Sequence, residues 1–254
     1  ARDAVVVVED AAAASLQEAV RRLPIEEQAA SVLAAWAAAL VRLTAALSEA
    51  GVAEALRRVA ARCAALGAAD LGPSSAQLLV LASGRPEEEW AAALPALVSA
   101  LAETADGMGP MQLEMSAYAL ARMDRRRSGA LEGQALAAEA LLRCGCARVD
   151  RFMPRGLLNL FVALERLAGP EAARGLARAV SQRLASLGVA DLAGCTAVDR
   201  YRAALCLLRC GEQEPEPFAR LFPDAASAAA LGATARAALV ARMRRAMGTE
   251  AAVP

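Results

Sequence analysis

The chain has 254 residues, 57% of them hydrophobic and 3% aromatic, and its 28 basic and 28 acidic residues cancel to a formal net charge of zero. That balance excludes the global basic field of many nucleic-acid binders, so contact with a polyanion has to come from a local stripe. The chain has no His, which removes the commonest general base, and its longest charge-free stretches, Gln28–Val41 and Leu71–Gly84 at 14 residues each, are too short to span a bilayer.

Much of the hydrophobic share is alanine, which builds helices well but has only one methyl to bury, so its helices must approach closely. In chain order, residues 1–10 read as an N-terminal tail, unanchored or held by a partner, whose Val5–Val8 run is the only convincing strand signal. Apolar residues at helical spacing place helices at about 11–22, 25–47, 52–66, 74–83, 87–104 and 111–123. Further helices follow at about 130–143, 155–167, 170–187, 197–209, 215–221 and 225–247. Pro73, Pro110 and Pro154 stand where a first-turn proline loses no helical hydrogen bond. Glu87, Glu88 and Glu89 follow Pro86 at a helix start, where carboxylates favour the dipole. Gly67 and Gly188 are expected to close their helices in the left-handed conformation.

The pattern repeats. Pro110-Met-Gln-Leu113, running through Ala119-Leu120-Ala-Arg122-Met123, aligns without a gap on Pro154-Arg-Gly-Leu157, running through Ala163-Leu164-Glu-Arg166-Leu167, 44 residues later. Pro73 leads to Ala82 as Pro110 leads to Ala119, and Ala204-Leu205 continues the series with Cys195 in the proline slot. A weaker copy, Ala39-Leu40-Val-Arg42-Leu43, precedes them, and the alanine positions step by 43, 37, 44 and 41. Independently, Val59 to Leu71 resembles Val180 to Leu192 at an offset of 121, close to three repeat lengths. The expected fold is all-α: a superhelical solenoid of about five helical hairpins of roughly 40 residues, spanning 11–247 as one domain, with 248–254 a C-terminal tail.

On Met108-Gly-Pro110-Met-Gln-Leu113 and Ala117-Tyr118-Ala119-Leu120-Ala-Arg122-Met123, the unit resembles the heptatricopeptide and octotricopeptide repeats of organelle RNA-metabolism proteins, including those that precede RAP domains. The copies at Phe152–Leu167 and Asp70–Gly84 carry the same likeness, which covers about residues 24–245. The resemblance implies a protein of the mitochondrial matrix, or alternatively of a plastid, that binds RNA or sits in an RNA-containing assembly such as the mitochondrial ribosome. No RAP-type C-terminal module is recognisable, and the supply of polar side chains for reading bases is poor.

All 28 basic residues are arginine, as GC-rich codon usage would produce, and arginine grips phosphate bidentately without losing its charge. Arg42, Arg122 and Arg166 hold equivalent repeat positions and form a candidate ladder along a phosphate backbone. Arg125, Arg126 and Arg127 form the densest basic cluster, in a turn, and Arg155 follows Pro154. Arg242, Arg244 and Arg245 make the last helix basic, as a capping or docking element. These ten arginines are the candidate RNA-contacting residues; a solvated helix face is the competing reading. The six cysteines form no CxxC pair and read as buried free thiols, and no nucleophile–base set, phosphate loop or metal-ligand set is recognisable. The expectation is therefore a non-enzymatic protein without cofactor, metal or small-molecule substrate, whose partners are RNA and neighbouring proteins, or neighbouring proteins alone.

Overall fold

A computed structural model describes residues 13–45, 47–127, 131–222 and 241. The Val5–Val8 run, both tails, Arg242, Arg244, Arg245 and nearly all of the expected helix 225–247 lie outside these residues. Among the described residues all regular structure is helical, and no helix is long and apolar enough to cross a membrane. The chain divides into two compact units, Ala1–Gly107 with Gly129–Ala137, and Met108–Ser128 with Ala138–Pro254.

In the first unit, α1 (13–21) is followed by α2 (Ala30–Arg42), α3 (Glu49–Ala65), a single turn α4 (Ala68–Leu71), α5 (Ser74–Ser83) and α6 (Leu94–Thr104). Helix α2 packs on α3 and α5, and α6 packs on α3, α4 and α5. Leu33, Leu56, Val59, Leu78, Leu79, Leu97 and Trp90 fill the space between them, each at most 1% exposed.

Two expected helices are shorter than their periodicity suggests. The segment 25–47 begins with a 3-10 turn, Ile25–Glu27, because Gln28 and Ala29 are extended (ψ 150° and 157°), and the α-helix starts only at Ala30. The segment 87–104 likewise opens with a 3-10 turn at Glu87–Glu89, and Trp90 (φ −121°) interrupts it before α6 starts with Pro95 in its first turn. Proline is tolerated there but not one turn further into a continuous helix. Glu89 is thus no dipole-facing carboxylate at a helix start; it is buried and takes a bidentate pair of hydrogen bonds from Arg85 at 2.9 and 2.8 Å.

The second unit holds α7 (Pro110–Asp124), most of α8 (Gln134–Ala147), α9 (Pro154–Ser186), α10 (Ala197–Arg209) and α11 (Pro215–Leu221). Helices α7, α10 and α11 all pack on α9. Gly169, at φ 83° and ψ 164°, breaks α9 into two arms without a loop, as the separate expectations for 155–167 and 170–187 require.

Gly67 and Gly188 do not close helices in the left-handed region. Their φ values are −72° and −77°, and each opens the next turn. At Gly188 the reason is a hydrogen bond: its N–H donates to Asp191 Oδ2 at 2.8 Å. The preceding residues, Leu66 and Leu187, share the extended conformation (φ −84° and −85°, ψ 143° in both). Val52, Ala55, Leu56, Val59, Cys63 and Leu71 are buried, and so are Ala173, Leu176, Ala177, Val180, Leu184 and Leu192, each 121 residues later.

The backbone at Gly169 is open only to glycine, so Gly169→Ala lowers the unfolding free energy by about 1–3 kcal/mol although nothing lies within 4 Å of an added methyl. Gly175, exposed in the interior of the second arm, gives the opposite result: Gly175→Ala raises it by about 0.5–1 kcal/mol. Urea denaturation followed by circular dichroism reads both signs.

Candidate functional site

Three helices of the second unit present one outward face. Helix α7 starts at Pro110 after Gly109, and α9 starts at Pro154 after Met153. Helix α10 starts at Ala197 after Thr196, whose hydroxyl accepts from the Asp199 N–H at 3.2 Å while Asp199 Oδ2 accepts from the Thr196 N–H at 3.1 Å. The starts are thus 44 and 43 residues apart. Burial follows the same register: Ser116, Ala117, Ala119 and Leu120 are buried, as are Leu160, Phe161, Ala163 and Leu164, and then Ala203, Ala204, Cys206 and Leu207. This corrects the alignment of Ala204-Leu205 with Ala163-Leu164. The Thr196 cap sets the phase of α10, so Ala204 takes the place of Phe161, and the Ala-Leu match is a coincidence of an Ala- and Leu-rich chain.

The outward positions of the three helices then form four rows. The first is Met111, Arg155 and Val198; the second Met115, Asn159 and Arg202; the third Tyr118, Val162 and Leu205; the fourth Arg122, Arg166 and Arg209. The expected ladder through Arg122 and Arg166 therefore continues through Arg209, which the two-residue difference in register hides from the sequence. Arg42 lies exposed in the last turn of α2, in the first unit. Arg126 is exposed and Arg127 half-buried just beyond α7.

Across this face runs a groove of about 450 Å³ lined by Arg125, Arg166, Arg202 and Arg209 together with Val162 and Leu205. Beside it lies a smaller notch bounded by Tyr118, Asn159 and Asp199, which shares Arg125, Val162, Arg166 and Arg202 with the groove. Not all of the positive charge is available. Arg209 is committed to Glu165, with Nε to Oε1 at 2.7 Å and Nη2 to Oε2 at 2.6 Å. Arg166 pairs with Asp124 at 3.7 Å at the protein surface, where such pairs are weak, and Arg155 pairs at 3.4 Å with the largely buried Asp199. Arg125 and Arg202 are exposed and have no ion pair among the described residues. Sequence reading finds Arg125 and Arg166 but misses Arg202, because no motif surrounds it; only the register of α10 brings it to the groove.

Other arginines fasten loops. Arg58 donates to the Arg21 and Leu23 carbonyls at 2.9 and 2.8 Å, and Arg62 to that of Gln28 at 3.2 Å. Arg148 donates to the Met108 carbonyl, and Arg200 to that of Leu192 at 2.6 Å.

No protein-family model matches this chain, and no curated protein or solved structure is similar to it at a significant level.

All six cysteines are free; five are buried and Cys146 is exposed. Cys206 lies under the groove, donating to Glu165 Oε2 at 3.4 Å and accepting from Arg209 Nη2 at 3.1 Å. Burial, reinforced by the Glu165 carboxylate, pushes its thiol up to about 12, and burial does the same for Cys63. A raised folded-state value means stability that is complete below the ordinary thiol value of 9.0 and lost as pH rises towards 12. Urea midpoints should therefore fall steeply above about pH 9, and the fall should be shallower in a chain carrying Cys63→Ala and Cys206→Ala.

Proposed function

We propose that this chain is an organellar helical-repeat protein that binds RNA through the arginine-lined face of its repeats. In this reading the hairpins of roughly 40 residues continue as an α-α superhelix, and the protein acts by binding, without catalysing a reaction. The observation that carries it is the convergence of Arg125, Arg166 and Arg202 on one groove, with Arg125 and Arg202 lacking ion-pair partners among the described residues. Guanidinium groups spaced along a groove suit successive phosphates, and they supply the local positive stripe that a chain of zero net charge needs. The resemblance to organelle RNA-metabolism repeats adds the compartment, a mitochondrion in preference to a plastid, and ribosomal RNA within the mitochondrial ribosome as the target.

A second reading, a protein–protein scaffold in a large organellar complex, is favoured by one specific feature. The same face exposes Met111 at 72%, Tyr118 at 52% and Val198 at 51%, apolar surface of the kind that anchors a partner's helix.

Crosslinking in native organelle extract, followed by sequencing of the attached RNA, separates the two. The RNA reading expects discrete ribosomal fragments, which disappear in the Arg125→Ala, Arg166→Ala, Arg202→Ala triple variant. For purified protein the same variant flattens the log–log salt dependence of RNA affinity by about 2–3, at about 0.7–0.9 for each of the three phosphates no longer neutralised. Protein crosslinks with no RNA above background select the scaffold.

A further inference from the structure

We propose that the notch beside Arg125 holds one unpaired nucleotide, its base stacked on Tyr118 and its phosphate held by Arg125 and Arg202. The inference rests on the RNA-binding reading above and narrows it to a single-stranded segment.

Tyr118 is the only aromatic side chain in the four outward rows; its counterparts in the third row are Val162 and Leu205. Its ring is half-exposed, and no hydrogen bond of its hydroxyl is found among the described residues. It shares the notch with Arg125, Asn159, Arg166, Arg202 and Asp199, whose carboxylate is paired with Arg155, so a flat π surface and two guanidinium groups without ion pairs among the described residues border one depression. The notch itself holds only about 60 Å³, so the base lies across its mouth against the ring, and the backbone runs on into the adjoining groove of about 450 Å³, which shares Arg125 and Arg202. A base needs an open ring face, and its phosphate needs a cation one backbone step away; this corner of the molecule offers both. The bases of a duplex are covered by their neighbours and have no face to give Tyr118, so the strand has to be single-stranded, looped or bulged. An acidic peptide would satisfy the arginines but leave the aromatic ring unused, which is why RNA is the occupant the site favours.

The test is fluorescence anisotropy of the full chain with a labelled single-stranded RNA of about ten nucleotides, against an abasic strand of equal length. Tyr118→Ala is expected to weaken binding of the ordinary strand about tenfold, in the range found when base-stacking aromatics are truncated. Tyr118→Phe restores it, the abasic strand binds wild type and variant alike, and the salt slope stays unchanged. Melting curves confirm that the half-exposed substitution leaves the fold intact. Equal affinity of wild type and Tyr118→Ala for the ordinary strand overturns the nucleotide subsite; the phosphate reading survives that failure if Arg125→Ala with Arg202→Ala still weakens binding. A wild-type chain that binds neither strand overturns both and leaves the groove to an acidic protein partner.

Discussion

A single methyl group is all that many buried positions here offer their neighbours, and most of the architecture follows from that constraint. Ala34, Ala37, Ala60, Ala117, Ala119, Ala173, Ala203 and Ala204 are all buried to 1% exposure or less. A methyl makes few dispersion contacts unless the facing backbone comes close, so helices built this way pack tightly or gain little. The glycines on these interfaces show how tightly. A β-carbon on Gly156 would stand 2.6 Å from Glu114 Oε2, and one on Gly145 would stand 3.1 Å from Leu160 Cδ2. The chain's one asparagine belongs to the same contact, since Asn159 Nδ2 donates to Glu114 Oε1 at 2.9 Å and steadies the carboxylate that lies over Gly156.

Close packing of short side chains leaves loops with few apolar anchors, and arginine takes over that task. Its stem lies along apolar surface while the guanidinium reaches a carbonyl one hairpin away. Arg58, Arg62 and Arg148 are fixed in this manner, Arg200 holds the nearer carbonyl of Leu192, and Arg85 and Arg209 are held by the buried carboxylates of Glu89 and Glu165. An arginine-only basic complement is therefore no measure of nucleic-acid affinity. The informative residues are those without such a partner, and among the described residues Arg125 and Arg202 stand out for that reason.

Much of this is legible in the sequence because helices report themselves through period and caps. The segments 74–83, 197–209 and 215–221 fall where apolar spacing puts them, the first of them just after Pro73, and the break between 155–167 and 170–187 falls at Gly169. The failures have physical causes. Glycine reads as a left-handed stop at Gly67 and Gly188, yet both open the next turn, and at Gly188 the Asp191 carboxylate three residues on makes it a start. Pro95 and Trp90 break a segment whose apolar period runs on unchanged. The candidate site is half-visible: Arg166 aligns with Arg122 without a gap, but Arg202 and Arg209 reach the face only through the phase that Thr196 imposes on α10, and in an alanine-rich chain several phases look alike.

Cys146 has a practical consequence. The other five thiols are buried, while Cys146 stands exposed near the end of α8. A maleimide fluorophore or spin label added to the native chain will therefore attach at one position, with no cysteine replaced. Partial burial raises the Cys146 thiol above its ordinary value, so coupling runs best in mildly alkaline buffer. The molecule thus brings its own reporter position, set in the same compact unit as the arginine groove, from which distances to a bound partner can be measured.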